Sequence, residues 1–492
     1  MPSIPTTLSP SQAWEPLPVS EWDEAAARHL LRRVGFSAVP AQVAQALGLG
    51  ADETLNRMFA SVPAFSKPLA VRRVEERTPG LVEKIRSGGD RREITRELRE
   101  MSREALFETM IQWFRIAGDS RASAFEKWAF FLGDVFVVGA EKVKGAPMIY
   151  DHHALVRRNA LGKFPDLAKS VSRSPAMIVY LDLQQSRRDS PNENFARELF
   201  ELFLLGEGNY TEQDIKEAAR AFTGYRQREG KFRSVPRQHD TTSKTVFGRS
   251  GALDGDDVID LCFSQPGTRT HLPRELLRFY VSEDPVPESH LETLGDWWAR
   301  TGFDLRALAI KVFSSRLFFE PAVRGNFIKS PLHFYIGLLQ DLSLDVTPLP
   351  RRITPLLRQM GQTPYAPPNV RGWVGGKLWI NSATLAARRQ LVQALFSEFD
   401  ESRLNADELV DIVAARADGN GNFTVTEERL IELTSQSPDA IVERFTDYFL
   451  PGAVSEEYRK ALASFLGNDG VSASRVREAA IAVLQSPEYQ LC

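Results

Sequence analysis

Apolar residues recur every three to four positions along most of this chain, which is the spacing of one face of an α-helix. Between Glu24 and Val34 the apolar stripe consists of Ala27, Leu30, Leu31 and Val34. Between Val71 and Leu106 charges of both signs interleave, which is typical of a solvated helical face. The pattern predicts a mainly α fold: a large, multi-helical, bundle-like domain with a small irregular or hairpin insertion.

Shifts in composition divide the chain into three parts. Residues 1–20 are expected to be a flexible, Pro-rich N-terminus, residues 21–392 the main helical domain, and residues 393–492 a small helical C-terminal lobe. Two stretches interrupt the helical pattern. Residues 226–256 form an irregular insertion in which Lys231–Val235 and Thr245–Gly248 can pair as a small hairpin, and residues 345–383 are rich in Pro, Gly and Trp. Long irregular segments inside compact helical domains are often functional.

Composition excludes several classes of protein. Cys262 and Cys492 are the two cysteines of the chain, too few for a disulfide framework or a Cys-rich metal site. The 61 basic and 64 acidic residues give a net charge of -3, which argues against a nucleic-acid partner. No stretch reaches the roughly 18 apolar residues of a membrane span. The first twenty residues lack the basic start and apolar run of a secretory leader, so we expect a cytoplasmic protein.

The densest motif runs from Ser190 to Gly224 and reads SPNENFARELFELFLLGEGNYTEQDIKEAARAFTG. Ser190 and Glu193 have the spacing of a capping box, and Thr211 with Asp214 marks a second helix start. The motif therefore predicts a helix, a Gly turn and a second helix. On a helical wheel, an arc of about 140° holds the polar residues Glu193, Asn194, Arg197, Glu198 and Glu201.

Two interpretations of this polar arc remain open. In the first, its charges form i,i+4 ion pairs and face water or a structural network. In the second, Glu198 and Glu201 project into a cleft beside Asn194, as metal ligands or as an acid/base pair. The neighbouring Asn192 is then a candidate ligand-binding residue, and Arg197 can hold an anion.

Two other segments carry candidate site residues. His239 and Asp240 place an imidazole beside a carboxylate, either as a base or ligand or as a simple turn. The surrounding insertion is basic, so Lys244 can hold an anion or merely face water. In the segment rich in Pro, Gly and Trp, Asn369, Arg371 and Trp373 can bind a sugar ring or a partner, whereas plugging of the core is the alternative. No sequence motif assigns a metal or a cofactor.

The motif and several further segments resemble one bacterial family, the "domain of unknown function 1800" proteins. The resemblance includes HLLRRVGFSAVPAQV from His29, SPAMIVYLD at 174–182, GQTPYAPPNVRGWVGGKLWINSATLAARR at 361–389 and the final SPEYQL. It implies a largely helical protein of no established activity. Many relatives are exported and encoded beside a sulfatase-like partner, so the resemblance implies such a partner protein, although no leader supports export here.

The chain departs from the family at one place. Family members show a run similar to Phe-Trp-His-Asn-His-Phe after a Glu-Lys pair. Here Glu126 and Lys127 are followed by a run with Gly133 and Val135 at the histidine positions. The resemblance therefore implies a divergent member that lacks whatever metal binding or proton transfer that pair provides. His152 and His153 do not match these positions, and we expect them at the surface or at a helix cap.

We expect one cleft, formed by residues 190–224, 239–248 and 361–381. The sequence predicts that it binds an anionic ligand, a saccharide-like ligand or a protein partner. The alternative is a hydrolase or metal-assisted enzyme, in which Glu193 or Glu198 acts with His239 and Asp240. Loss of the two family histidines favours binding without catalysis.

Overall fold

The computed structural model describes residues 4–467 and 471–492. Over these residues the fold is mainly α, as predicted, with two small two-stranded sheets. None of the described helices is long and apolar enough to cross a membrane. Residues 1–3 of the predicted Pro-rich N-terminus lie outside the described residues.

The first half of the chain contains thirteen of the described helices, and they frame most of the site discussed below. Their bounds are α1 Pro10–Ala13, α2 Glu24–Val34, α3 Pro40–Leu49, α4 Ala51–Met58, α5 Leu69–Arg86, α6 Arg91–Gly118, α7 Ser123–Val135, α8 Ala140–Val143, α9 Ala146–Asn159, α10 Phe164–Ser172, α11 Pro175–Tyr180, α12 Asn194–Glu198 and α13 Glu212–Ala221. Helix α7 buries most of its residues, because its sequence is apolar around nearly the whole circumference.

The predicted hairpin is instead two hairpins. Strand β1 (Tyr225–Arg228) pairs antiparallel with β2 (Lys231–Ser234), and β3 (Lys244–Val246) pairs with β4 (Arg249–Gly251). The expected pairing of Lys231–Val235 with Thr245–Gly248 was therefore wrong. Each segment pairs with its immediate neighbour across a two-residue turn, which costs less chain entropy than closing the longer loop.

The second half of the chain contributes the remaining twelve described helices. Their bounds are α14 Gly255–Phe263, α15 Pro266–Tyr280, α16 Glu288–Arg300, α17 Leu305–Phe313, α18 Pro331–Asp341, α19 Pro350–Met360, α20 Ser382–Leu395, α21 Ala406–Ala417, α22 Glu428–Ile431, α23 Pro438–Phe449, α24 Glu456–Leu466 and α25 Ala473–Leu484. The segment 361–381 between α19 and α20 contains one short 3₁₀ turn at Gly376–Trp379. This segment passes over α7 and the motif helices, and it positions the candidate site.

Two large apolar clusters form the core. One joins α7, α9 to α17 and the motif helices. The other joins α6, α18 and α19 to α20 and to α22 through α25. Between them, Arg33 of α2 is fully buried and donates to the carbonyls of Val281, at 3.0 Å, and Val323, at 2.8 Å. The division into a domain 21–392 and a lobe 393–492 stays a prediction.

Candidate functional site

The first helix of the motif begins later than its capping pattern predicted. Ser190 pairs with Arg187 in an isolated bridge, and its side chain does not cap the helix. Asn192 takes that role instead, because its Oδ1 accepts from the backbone N–H of Asn194 at 2.9 Å. The predicted capping box at Ser190 was therefore wrong, whereas the second one is confirmed. The side chain of Thr211 accepts from the N–H of Asp214, and the side chain of Asp214 accepts from the N–H of Thr211.

The motif helix also changes its winding. After Glu198 it continues as a π-helix over Leu199–Leu204, and the N–H groups of Leu205 and Gly206 both donate to the carbonyl of Phe200. A π-helix carries more residues per turn, so the predicted polar arc does not extend unchanged to Glu201. Single π turns of this kind occur frequently at functional sites.

Arg197, predicted to hold an anion, and Arg371, a candidate for binding a sugar ring or a partner, are both already paired with carboxylates. Arg197 pairs with Glu193 at 3.3 Å and with Glu212 at 2.7 Å. Arg371 reaches from the 361–381 segment to Glu201, at 2.6 Å, and to Glu207, at 3.0 Å. The contact of Arg371 brings the 361–381 segment onto the 190–224 motif, so these two of the three predicted cleft segments meet.

Glu198 differs from the other glutamates of the motif. Its carboxylate is half-buried, yet no hydrogen-bond donor reaches it from any described residue. Burial, together with the neighbouring charge of Glu201, raises the pKa of Glu198, while Arg371 and Arg197 lower it less. The charge of Glu198 also raises the pKa of Tyr180, although burial of the phenol is the larger cause. Glu198 therefore retains open acceptor positions beside Tyr180 and Arg371.

His239 and Asp240 belong to a separate network. The carboxylate of Asp240 accepts from Arg220 Nε at 2.8 Å and from Thr242, and His239 Nδ1 lies 2.9 Å from the carbonyl of Thr223. Burial alone would raise the pKa of Asp240, but the hydrogen bonds from Arg220 and Thr242 hold it well below its usual value. Within the described residues, neither His239 nor Asp240 contacts Glu193 or Glu198.

The amine of Lys244 is also committed to this network. It is buried and donates to the carbonyls of Asp240, at 2.6 Å, and Thr242, at 3.0 Å. The 239–248 segment is bonded to the second helix of the 190–224 motif, since the N–H of Thr245 donates to Glu217 at 3.0 Å and the N–H of Phe247 donates to Asp214 at 2.8 Å, in addition to the pair of Asp240 with Arg220. No described hydrogen bond or ion pair joins this segment to Glu198 or to the 361–381 segment.

Beside the motif, the 361–381 segment closes a small cavity of about 60 Å³. Its walls are almost entirely apolar and aromatic, and its lining residues are Trp113, Ala129, Phe130, Gly133, Val137, Val138, Ile149, His152, His153, Val156, Pro364, Tyr365 and Trp373. A side chain placed on Gly133 would meet no atom within 4 Å. The cavity is thus the space left open above a glycine in the interior of α7.

The two histidines expected at the surface line this cavity. His152 is 4% exposed and bridges the carbonyl of Phe136, at 2.9 Å, to the hydroxyl of Ser174, at 2.9 Å. His153 Nδ1 lies 2.7 Å from the hydroxyl of Tyr365, and its Nε2 makes no hydrogen bond with a described residue. The prediction of a surface position was therefore wrong for His152, whereas the alternative of a helix cap fits its bond to Phe136, the C-cap residue of α7. Burial lowers the pKa of His152 to about 4 and that of His153 to about 3, so both rings are neutral at neutral pH.

The residues predicted in the 361–381 segment hold it in place. Asn369 Oδ1 accepts from the N–H of Arg371 at 2.8 Å, and Trp373 stacks on Phe130 with 5.7 Å between ring centroids. The N–H of Trp373 donates to Asp134 of α7 at 3.2 Å. Burial raises the pKa of Asp134 to about 7, although this hydrogen bond lowers it in part. Trp373 is therefore a wall of the cavity as well as a candidate for ligand stacking.

The comparisons with known proteins give a family and no activity. A family model described as "Protein of unknown function (DUF1800)" matches residues 29–491, which is nearly the whole chain. The chain belongs to this family. No curated protein and no solved structure matches it. Family membership confirms the resemblance seen in the sequence, and it leaves the function to be argued from the site.

Several features of the site had no clear signal in the sequence. The pairing of Arg371 with Glu201 joins residues 170 positions apart. Tyr180 and Tyr365 were not among the candidate residues, although both border the site. For the cavity, a signal was available: Gly133 lies inside an otherwise strongly apolar helix, where glycine lowers stability and is often kept for a packing or functional reason.

Proposed function

We propose that this protein is a binding protein for a neutral, saccharide-like ligand, held where the 361–381 segment meets the 190–224 motif. The supporting observation is Glu198, a half-buried carboxylate that no described group hydrogen-bonds. Because this carboxylate is partly exposed, its oxygens are open to a ligand, and a ligand that excludes water from them must supply hydrogen-bond donors. Sugar hydroxyls are suitable donors, and carboxylates bind them with charge-assisted hydrogen bonds.

The charges around Glu198 favour a neutral ligand over the anionic one. Both arginines of the site are shared between two carboxylates each, and Lys244 is bound to backbone carbonyls. An anion would have to displace one of these carboxylates and approach Glu198, which like-charge repulsion opposes.

The experiment is titration of a panel of neutral and acidic saccharides by calorimetry, with wild type and Glu198→Gln. We expect at least one neutral sugar to bind and the affinity to fall about 10- to 100-fold in Glu198→Gln, since a hydrogen bond to a charged group contributes about 1.5–3 kcal/mol. Stability should be unchanged or slightly higher, because the buried charge is removed. Glu53→Gln, on α4, is the matched control and should bind like wild type. Binding of acidic sugars alone, or equal affinity of the Glu198 variant, would overturn the proposal.

A second candidate function is hydrolysis at the same site. It is favoured by one observation, the raised pKa of Glu198 beside the carboxylate of Glu201, which is the pattern of a general acid next to a charged partner. Its participants would be these two glutamates, because His239 and Asp240 contact neither Glu193 nor Glu198. Among the described residues, no group of three His, Cys, Asp or Glu side chains is arranged to hold a metal ion. Release of reducing sugar from a bound oligosaccharide, abolished in Glu198→Gln, would support the enzyme.

A further inference from the structure

We propose that the cavity above Gly133 receives the acetamido group of an N-acetylated amino sugar. This inference rests on the proposed function, and it names the class of saccharide. Three features of the cavity support it: its size, the chemistry of its walls, and its position beside Glu198.

The size of the cavity suits a substituent of a few heavy atoms. Its volume of about 60 Å³ is several times the roughly 10–15 Å³ that one buried water molecule needs. An apolar cavity that binds a whole benzene ring is larger, at about 150 Å³. An acetamido group has four heavy atoms beyond the sugar ring, so it can enter while the ring stays outside.

The cavity is kept open by glycine although nothing in the packing requires glycine there. Gly133 lies in the regular helix α7, and a Cβ at this position would meet no atom within 4 Å. Alanine would therefore fit, and it would favour the helix. Because Gly133 stands where the family's run has a histidine, no side chain fills the volume above it in this chain, and a ligand group can occupy that volume.

The walls suit a neutral group that is apolar at one end and polar at the other. Rings of Trp113, Phe130 and Trp373 can surround a methyl group, whereas the neutral His153 has a ring nitrogen free of any described partner. That nitrogen, or the hydroxyl of Tyr365, can bond the amide. A free ammonium or a carboxylate would lose its hydration in such walls without an opposite charge to replace it. An acetamido group meets both requirements, and an unmodified amino sugar does not.

The 361–381 segment connects the cavity to the motif that carries Glu198. The 361–381 segment lines the cavity with Pro364, Tyr365 and Trp373, and its Arg371 contacts the motif at Glu201. On the other side of the cavity, Val138 is followed by Gly139, whose Cβ position lies 3.1 Å from the ring of Tyr180. Tyr180 in turn is close enough for the charge of Glu198 to raise its pKa. We therefore place the acetamido group in the cavity and the sugar ring on the side of the cavity that leads to Glu198.

The test compares N-acetylglucosamine with glucose and glucosamine by calorimetric or NMR titration. In the wild type we expect N-acetylglucosamine to bind about tenfold or more tightly than glucose, because it buries a methyl group and adds a hydrogen bond. In Gly133→Val, whose methyl groups fill the cavity, this preference should disappear while glucose binds as before. Retained glucose binding also shows that the variant is folded. Gly80→Val is the matched control, since Gly80 is another helical glycine with open space around it, on α5 and exposed.

The outcomes separate this inference from the proposed function. Equal affinity of the wild type for N-acetylglucosamine and glucose would overturn the inference and leave the saccharide site standing. A preference that survives in Gly133→Val would also overturn it, because the acetamido group would then bind elsewhere. Failure of all three sugars to bind would overturn both proposals.

Discussion

The ion pair of Glu126 and Arg157 offers a quantitative test of the structure beneath the cavity. The two side chains are 0% and 3% exposed, and they form two hydrogen bonds, one of them 3.0 Å from Arg157 Nε to Glu126 Oε2. The same oxygen accepts from the indole N–H of Trp113 at 3.2 Å, and Trp113 is a cavity wall. The perturbation is Glu126→Gln, Arg157→Met and the double variant.

The expected magnitude follows from burial. Removing one partner of a buried pair leaves an uncompensated charge and costs about 3–5 kcal/mol. For a chain of 492 residues, an unfolding entropy of about 2.1 cal/mol/K per residue amounts to about 1 kcal/mol/K. Each single variant should therefore lower Tm by about 3–5 °C if the chain unfolds as one unit. The double variant removes both charges, so its loss should be smaller than the sum of the singles by about 3 kcal/mol.

Calorimetry and urea denaturation measure these losses. The matched control is Glu97→Gln, which breaks the exposed pair with Arg77 between α5 and α6 and should cost less than about 1 kcal/mol. When two mutated sites are independent, their losses of unfolding free energy add to within about 0.5 kcal/mol. Two results would refute a buried, mutually dependent pair. The first is a double variant whose loss of unfolding free energy equals the sum of the two single losses, and the second is a single loss no larger than that of Glu97→Gln.

Two further predictions concern charges elsewhere. Burial raises the pKa of Asp134 to about 7 in the folded state, whereas the unfolded chain releases the same proton near pH 4. Between about pH 4 and pH 7 the folded state therefore binds more protons than the unfolded state, and the free energy of unfolding falls as the pH rises. Asp134→Asn should therefore gain stability relative to wild type between pH 5 and pH 8 in urea denaturation, and a constant difference would count against it. Arg226 and Arg233 face each other across β1 and β2, so Arg233→Glu should stabilise that hairpin by about 0.2–1 kcal/mol. Slower amide exchange in β1 and β2 would show this, and unchanged or faster exchange would not fit.

The helices could be predicted because their signals are local. The apolar stripe of Glu24–Val34 became α2 with the expected bounds, and Thr211 caps α13 as its spacing indicated. The box at Ser190 failed because a competing local bond was available, from the N–H of Asn194 to Asn192. The π turn after Glu198 has no periodic signature, so the sequence could not reveal it.

The site was harder to predict because its contacts are distant in sequence. His152 was expected at the surface or at a helix cap. It is buried between the carbonyl of Phe136 and the hydroxyl of Ser174, which only the packing of α7, α9 and α11 brings together. The meeting of Arg371 with the motif was predicted as one cleft, and the i,i+4 pair of Arg197 with Glu193 was predicted as well. The pairs of Arg197 with Glu212 and of Arg371 with Glu201 were not predicted. These pairs decide whether an arginine is free to hold an anion, and they favour the saccharide-like ligand over the anionic one.

A crystal structure of the protein with N-acetylglucosamine tests the account most directly. The account predicts sugar hydroxyls within hydrogen-bond distance of the Glu198 carboxylate, with the acetamido methyl above Gly133 and the amide at His153 or Tyr365. A sugar bound elsewhere on the surface, or an empty site at concentrations that saturate binding in solution, would contradict it.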